Sequence, residues 1–198
     1  MTGKFVETFI TLFFLLTPFF VVSTFLSLTD GMDIAGRRRL ALRVILAVAI
    51  IAVTLFLFGE YIFRVLGITV DSFRIGAGAL LFISAVSLVA GKRVYEGAGE
   101  HEDIAVVPLA MPVTVGPGTI GALMVFSADA PDVACKAVAL AALLAAVTAI
   151  GVMLYVAAAA GRLLKPRIMS LLTRLTGLIL AALSAQLIFT GIRNFMTH

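Results

Sequence analysis

The chain has 198 residues, 62% of them hydrophobic and 13% charged, with a formal net charge of +4. A soluble domain carries about 25% charged residues, so this composition excludes one and selects a membrane-embedded chain. There is room for about six spans of roughly 20 residues and none for a separate soluble domain, and the single Cys135 excludes an intrachain disulfide.

The first apolar stretch, Phe5–Leu28, is too long for a signal-peptide core and lacks an Ala-x-Ala cleavage pattern, so it is expected to be the first span. Thr17-Pro18 interrupts it, because proline removes a backbone donor and clashes with the carbonyl four residues back. A polar turn (Thr29 to Asp33) and the basic cluster Arg37, Arg38, Arg39 and Arg43 follow. Span two is predicted at Val44–Leu66, with Glu60 and Arg64 toward its far end. Span three, Ser72–Ala90, opens with Arg74 and carries Gly76 and Gly78, small residues that let helices approach closely. Gly91–Asp103 is a polar loop.

Span four is the stretch around which the chain is organised. Ile104–Phe126 is an uncharged run of 23 residues, long enough to cross a bilayer core, yet it contains Pro108, Pro112 and Pro117. A continuous helix is not expected here. The Gly116-Pro117-Gly118 triplet marks a break, with Pro117 suited to the first turn of a second half-helix. Irregular backbone survives at membrane depth only where protein buries it or a cavity wets it. Span five is predicted at Ala137–Ala160, with eleven alanines, and span six at Leu175–Ile192.

The loops joining spans 1–2, 3–4 and 5–6 hold ten basic residues, and the opposite side holds Lys4, Arg64, Arg74, Lys136 and Arg193. Both termini are therefore expected outside (periplasmic) and the 91–103 loop in the cytoplasm of an inner-membrane protein. The positive surplus reads as this orientation bias, not as a nucleic-acid surface. An internal repeat appears at an offset of 100: Arg74, Leu80, Ser84, Ala85, Gly91 and Arg93 match Arg174, Leu180, Ser184, Ala185, Gly191 and Arg193. Pro18 matches Pro117 at an offset of 99. Halves of three spans insert with opposite orientation. The fold expected is thus an all-α membrane domain over 1–198, with six transmembrane helices in two inverted three-helix repeats (about 1–95 and 104–198) and with helices 1 and 4 broken.

Val107-Pro108-Leu109-Ala110-Met111-Pro112, followed by Gly116-Pro117-Gly118-Thr119-Ile120, resembles the second signature of the MarC-related membrane proteins of the LysE-like transporter group. Phe25 to Thr29, Gly31-Met32 and Arg37 to Arg39 resemble the end of the family's first signature. Ser72 to Ile75 and Arg174 to Gly177 resemble the starts of its third and last spans. The first signature usually reads Asn-Pro-x-Gly-x-x-Pro; Thr17, Phe20 and Ser23 replace its Asn, Gly and second Pro. The resemblance implies a six-span protein related to exporters of amino acids, with some relatives moving small neutral ones.

Corresponding broken spans in two inverted halves point to a transport site. The expected function is secondary transport of a small solute, with a small zwitterion such as alanine, glycine or serine as the leading class. The positive end of a half-helix holds a carboxylate through free amides, and Gly116 and Gly118 permit close backbone approach. Candidate substrate-binding residues are Thr17, Pro18, Thr114, Gly116, Pro117, Gly118, Thr119, Ser84, Ser184 and Gln186. For each hydroxyl the competing role is a bond to its own helix carbonyl, and for Gln186 it is an interhelical hydrogen bond. Glu60 is the candidate coupling acid, against a plain pairing with Arg64, and the coupling ion, H+ or Na+ if there is one, is left open by the sequence. No cofactor, metal or nucleic-acid partner is expected; the bilayer and a small molecule are, and a homo-oligomer is left open. An enzyme is disfavoured because no span offers a Ser/His pair or paired carboxylates. The other readings are an exporter or channel for another solute, or a membrane scaffold without transport.

Overall fold

The computed structural model describes residues 2–91, 109–110, 114–130, 132–160 and 166–197. Seven α-helices make up nearly all of these residues: α1 Thr2–Leu15, α2 Pro18–Leu28, α3 Ile34–Leu66, α4 Val70–Ala90, α5 Pro117–Ala128, α6 Val133–Ala160 and α7 Pro166–Thr197. No strand occurs among the described residues. A helix satisfies its backbone groups internally, which hydrocarbon demands.

Five segments are long and apolar enough to cross a membrane: Gly3–Leu28 (α1 with α2), Ile34–Gly59, Val70–Ala90, Val133–Ala160 and Pro166–Thr197. The expected fourth span differs. Among the described residues it consists of Leu109, Ala110, Thr114 to Gly116 and the 12-residue α5. At 1.5 Å per residue α5 is about 18 Å long, too short for a hydrocarbon core of about 30 Å. Residues 104–108 and 111–113 of that span, and 92–103 of the expected loop, lie outside the described residues.

Two predicted boundaries are corrected. Hydropathy predicts span two from Val44, but α3 begins at Ile34, where Asp33 caps it by accepting the Gly36 N–H at 3.1 Å. It predicts the last span from Leu175, but α7 begins at Pro166, a residue suited to a first turn. Arg37, Arg38, Arg39, Arg43, Arg167 and Arg174 therefore ride on helix ends instead of loops. Arginine is a good helix former, and its long stem lets the charge reach the interface while the backbone stays helical.

The faces of α3 show the solvent it was built for. Val44, Val48, Ala52 and Phe56 are buried, yet Leu42, Leu46, Ile50 and Leu57 on the outer side are apolar and exposed. A helix apolar all round, with one side uncovered by protein, belongs in lipid.

Helix packing runs through small residues. α4 and α7 form the most extensive pair and run antiparallel. Gly191 meets Ile75 and the Asp71 carbonyl, Gly78 meets Ile188 and the Ser184 carbonyl, and Gly177 meets the Ala85 carbonyl. α3 packs on α6, with Ile45 over Gly151, and α1 also lies on α6. α5 is wedged between α3 and α4: Gly59 of α3 meets Met124, while Gly118 and Gly121 meet Leu81 and Ala77 of α4.

Candidate functional site

The first break is local chemistry made visible. Pro18 occupies the first turn of α2, and Thr17 before it takes a left-handed conformation (φ 48°, ψ 55°). Thr17 is the one non-glycine residue with positive φ among the described residues. Its N–H bonds the Phe14 carbonyl at 3.0 Å, tightening the last turn of α1, and the chain restarts as α2. This conformation is an outlier for a β-branched residue and costs about 1–2 kcal/mol. Asn or Gly would adopt it more easily.

The second break has different machinery. A π-type turn carries Leu109 and Ala110, with the Val115 N–H donating to the Ala110 carbonyl at 3.0 Å. The buried Thr114 hydroxyl donates to the Leu109 carbonyl at 2.6 Å. Gly116 is extended (φ −77°, ψ 171°), Pro117 opens α5, and the Ile120 N–H bonds the Gly116 carbonyl at 2.8 Å.

The two breaks meet. Thr119, in the first turn of α5 and 5% exposed, donates its hydroxyl to the Leu15 carbonyl at 3.2 Å. That carbonyl ends α1, just where the helix is interrupted before Pro18. Residues 104 apart in sequence thus join the two discontinuities, satisfying a helix-end acceptor in the protein interior.

A cavity of about 420 Å³ leads to this junction. It follows α1 from Lys4 through Glu7, Thr8 and Thr11 to Leu15, and α4 from Arg74 to Leu81. Ala122, Val125, Phe126 and Asp129 form the α5 side, and Leu183, Gln186, Leu187 and Thr190 the α7 side. Its mouth is charged and polar; Leu15, Leu81 and Ala122 make its end apolar. A second cavity of about 460 Å³ shares Lys4, Thr8, Phe126 and Asp129 and reaches Cys135 and Val138 of α6.

The candidate residues separate accordingly. Thr17, Pro18, Thr114, Gly116, Pro117, Gly118 and Thr119 gather at the two breaks, and Gln186 lines the cavity. Ser84 and Ser184 do not line it; their hydroxyls donate within their own helices, to Leu80 at 3.0 Å and Ala181 at 2.8 Å. At Gly118, a Cβ would lie 2.5 Å from the Leu81 Cα, so the close approach its small size permits is to α4. Glu60 falls in α3, but its side chain lies outside the described residues.

Arg74, a partner in the repeat, is not among the site residues that the sequence pattern picks out. It is 4% exposed, bonds Asp71 at 2.8 Å and makes a second ion pair with Asp129, the residue that follows α5. Asn194 of α7 donates to Asp71 at 3.1 Å, completing a polar group across α4, α5 and α7. Burial pushes the Asp129 carboxyl above its ordinary 3.8; Arg74 opposes this and Asp71 adds to it. The sequence shows Arg74 only at the opening of a span; its burial, which marks it, is visible in the fold.

Five apolar segments long enough to cross a membrane, one of them interrupted at Thr17-Pro18 where a short apolar helix bonds to it, define a polytopic integral membrane protein. Residues 2–196 match the MarC family, described as integral membrane proteins. The chain is 33% identical to a UPF0056 membrane protein of Methanocaldococcus jannaschii, covering 96% of each chain. It is 30% identical to one of Aquifex aeolicus, covering 98% of this chain and 94% of that one. It is 32% identical to the UPF0056 membrane protein YhcE of Escherichia coli, covering 94% and 90%. The chain belongs to the MarC family. No solved structure matches it.

Proposed function

We propose that this protein is a secondary transporter of a small solute, with small neutral amino acids as the solute class. The observation that carries this reading is the Thr119–Leu15 hydrogen bond, which joins two broken helices at the foot of a cavity with a polar mouth. Discontinuous helices meeting inside a bundle are where transporters place their binding sites. The N-terminal end of α5 carries a partial positive charge that favours a carboxylate. Alanine, glycine and serine are small enough for a 420 Å³ cavity, and Gln186 and Thr190 on its wall offer neutral hydrogen-bonding groups.

The architecture underlying this reading is six spans in two inverted halves. Three features support it. Pro18 and Pro117 each open a half-helix, α4 and α7 contain the repeated arginines, and those two helices are antiparallel. In this reading the protein sits in an inner membrane, and the placement of its basic residues supports both termini outside.

The test is counterflow in proteoliposomes with labelled alanine, glycine and serine, comparing the native protein with Thr119→Val. Saturable exchange is expected, reduced up to about tenfold in the variant, as loss of one hydrogen bond of roughly 0.5–1.5 kcal/mol would give. No exchange of any of the three by folded, inserted protein would refute the amino-acid reading.

A further inference from the structure

We propose that Arg74–Asp129 and Arg174–Asp30 are matched ion-pair latches at opposite ends of the bundle, closed one at a time. The pairing is written in the repeat. Asp30 follows Pro18 by twelve residues, and Asp129 follows Pro117 by twelve. Arg74 and Arg174 hold the corresponding positions on α4 and α7. Each acid therefore follows a half-helix, and each arginine sits on the last helix of its own half.

The two pairs are in different states. Arg74 is buried and paired with Asp129, while Arg174 and Asp30 are both exposed and form no ion pair with each other. The two arginines lie at opposite ends of the antiparallel α4–α7 pair, since Asp71 is beside Gly191 and Arg174 is beside Gly91. The packing explains which latch is closed. Gly118 and Gly121 let α5 seat directly on α4, which brings Asp129 to Arg74. The matching positions in α2 are Phe19 and Val22, which are bulkier.

Because α2 and α5 each start at a break, either can pivot there without unravelling a long helix. The Thr119–Leu15 bond ties the first turn of α5 to the chain just before the α2 pivot, so a movement of one half-helix is felt at the other. Opening the Arg74 latch frees α5, and closing the Arg174 latch draws the end of α2 toward α7. The inference rests on the inverted-repeat reading above and is independent of which solute is carried.

The experiment reads proximity instead of flux, so its failure and a failure of the transport reading are distinguishable. In a Cys135→Ser background, Asp30→Cys and Arg174→Cys are combined and the rate of oxidative cross-linking is measured in membranes. The same pair is then measured with Asp129→Asn and, separately, with Arg74→Lys. Cross-linking is expected to be slow in the first protein and about fivefold faster in either of the others, equivalent to about 1 kcal/mol of latch energy. An Arg74→Cys/Asp129→Cys pair, expected to cross-link readily, shows that the chemistry reports a closed latch. Equal rates in all three backgrounds, or no 30–174 cross-link in any inserted, monodisperse variant, would overturn the proposal.

Discussion

Replacing Gly118 by alanine is expected to destabilise the protein, although the substitution adds a single methyl group and improves helix propensity. The added Cβ would lie 2.5 Å from the Cα and 2.6 Å from the N of Leu81, where ordinary contact begins at 3.4 Å. The obstructing atoms are backbone of α4, which is itself packed along α7, so no side-chain rotation relieves the clash. α5 must move away by about 1 Å, and overpacking of this kind costs about 1–3 kcal/mol. Helix propensity returns up to about 1 kcal/mol, leaving a net loss of up to about 2 kcal/mol. Gly76 provides the control. It lies on α4 with nothing within 4 Å of the place a Cβ would take, so Gly76→Ala gains propensity alone and is expected to stabilise by about 0.5–1 kcal/mol. Thermal unfolding of the detergent-solubilised variants separates the two, at about 2–4 °C per kcal/mol. A Gly118→Ala protein as stable as the native one, or shifted in the same direction as Gly76→Ala, would refute the packing argument.

Thr17→Asn is expected to stabilise by about 1 kcal/mol in the same assay, because Asn tolerates the left-handed backbone that a β-branched residue resists; an unchanged or lower melting point would mean the strain is already offset by the threonine side chain. Arg74→Met is expected to cost about 1.5–3 kcal/mol, since it removes charge-assisted bonds to Asp71 and Asp129, whereas Arg174→Met, exposed and unpaired with Asp30, is expected to stay within about 0.5 kcal/mol of native. Equal effects would contradict the asymmetry of the two ends. Two aspartates in the turn between α5 and α6 should respond oppositely to pH. The folded state raises the Asp129 pKa, so this carboxyl's contribution is fully present below its ordinary 3.8 and is lost as pH rises through the higher folded value. The Cys135 N–H, which donates to Asp132 at 2.6 Å, lowers the Asp132 pKa, so its contribution is present above 3.8 and is lost as pH falls through the lower folded value. Melting points of Asp129→Asn and Asp132→Asn against pH, each relative to native protein, should diverge in these opposite directions.

The sequence by itself determined that this is a helical membrane protein, and where its helices break. Those features depend on composition and on near neighbours: hydrocarbon admits only helices without open edges, and a proline disrupts its own turn whatever surrounds it. Thr17-Pro18 and Gly116-Pro117 were legible for that reason. The helix starts were less so, because Arg37 to Arg43 and Arg167 to Arg174 look like loop by hydropathy yet have no breaker and form helix readily. Tertiary structure alone decided what the breaks touch. The Thr119 bond to Leu15 links residues 104 apart, and Gly118 faces α4 because α5 is wedged between two long helices. Which of two repeated arginines is buried was likewise decided in three dimensions. Arg74 and Arg174 stand at matching places in the sequence, but Arg74 is held inside the bundle by Asp71 of its own helix and by Asp129, which the glycine face of α5 brings close.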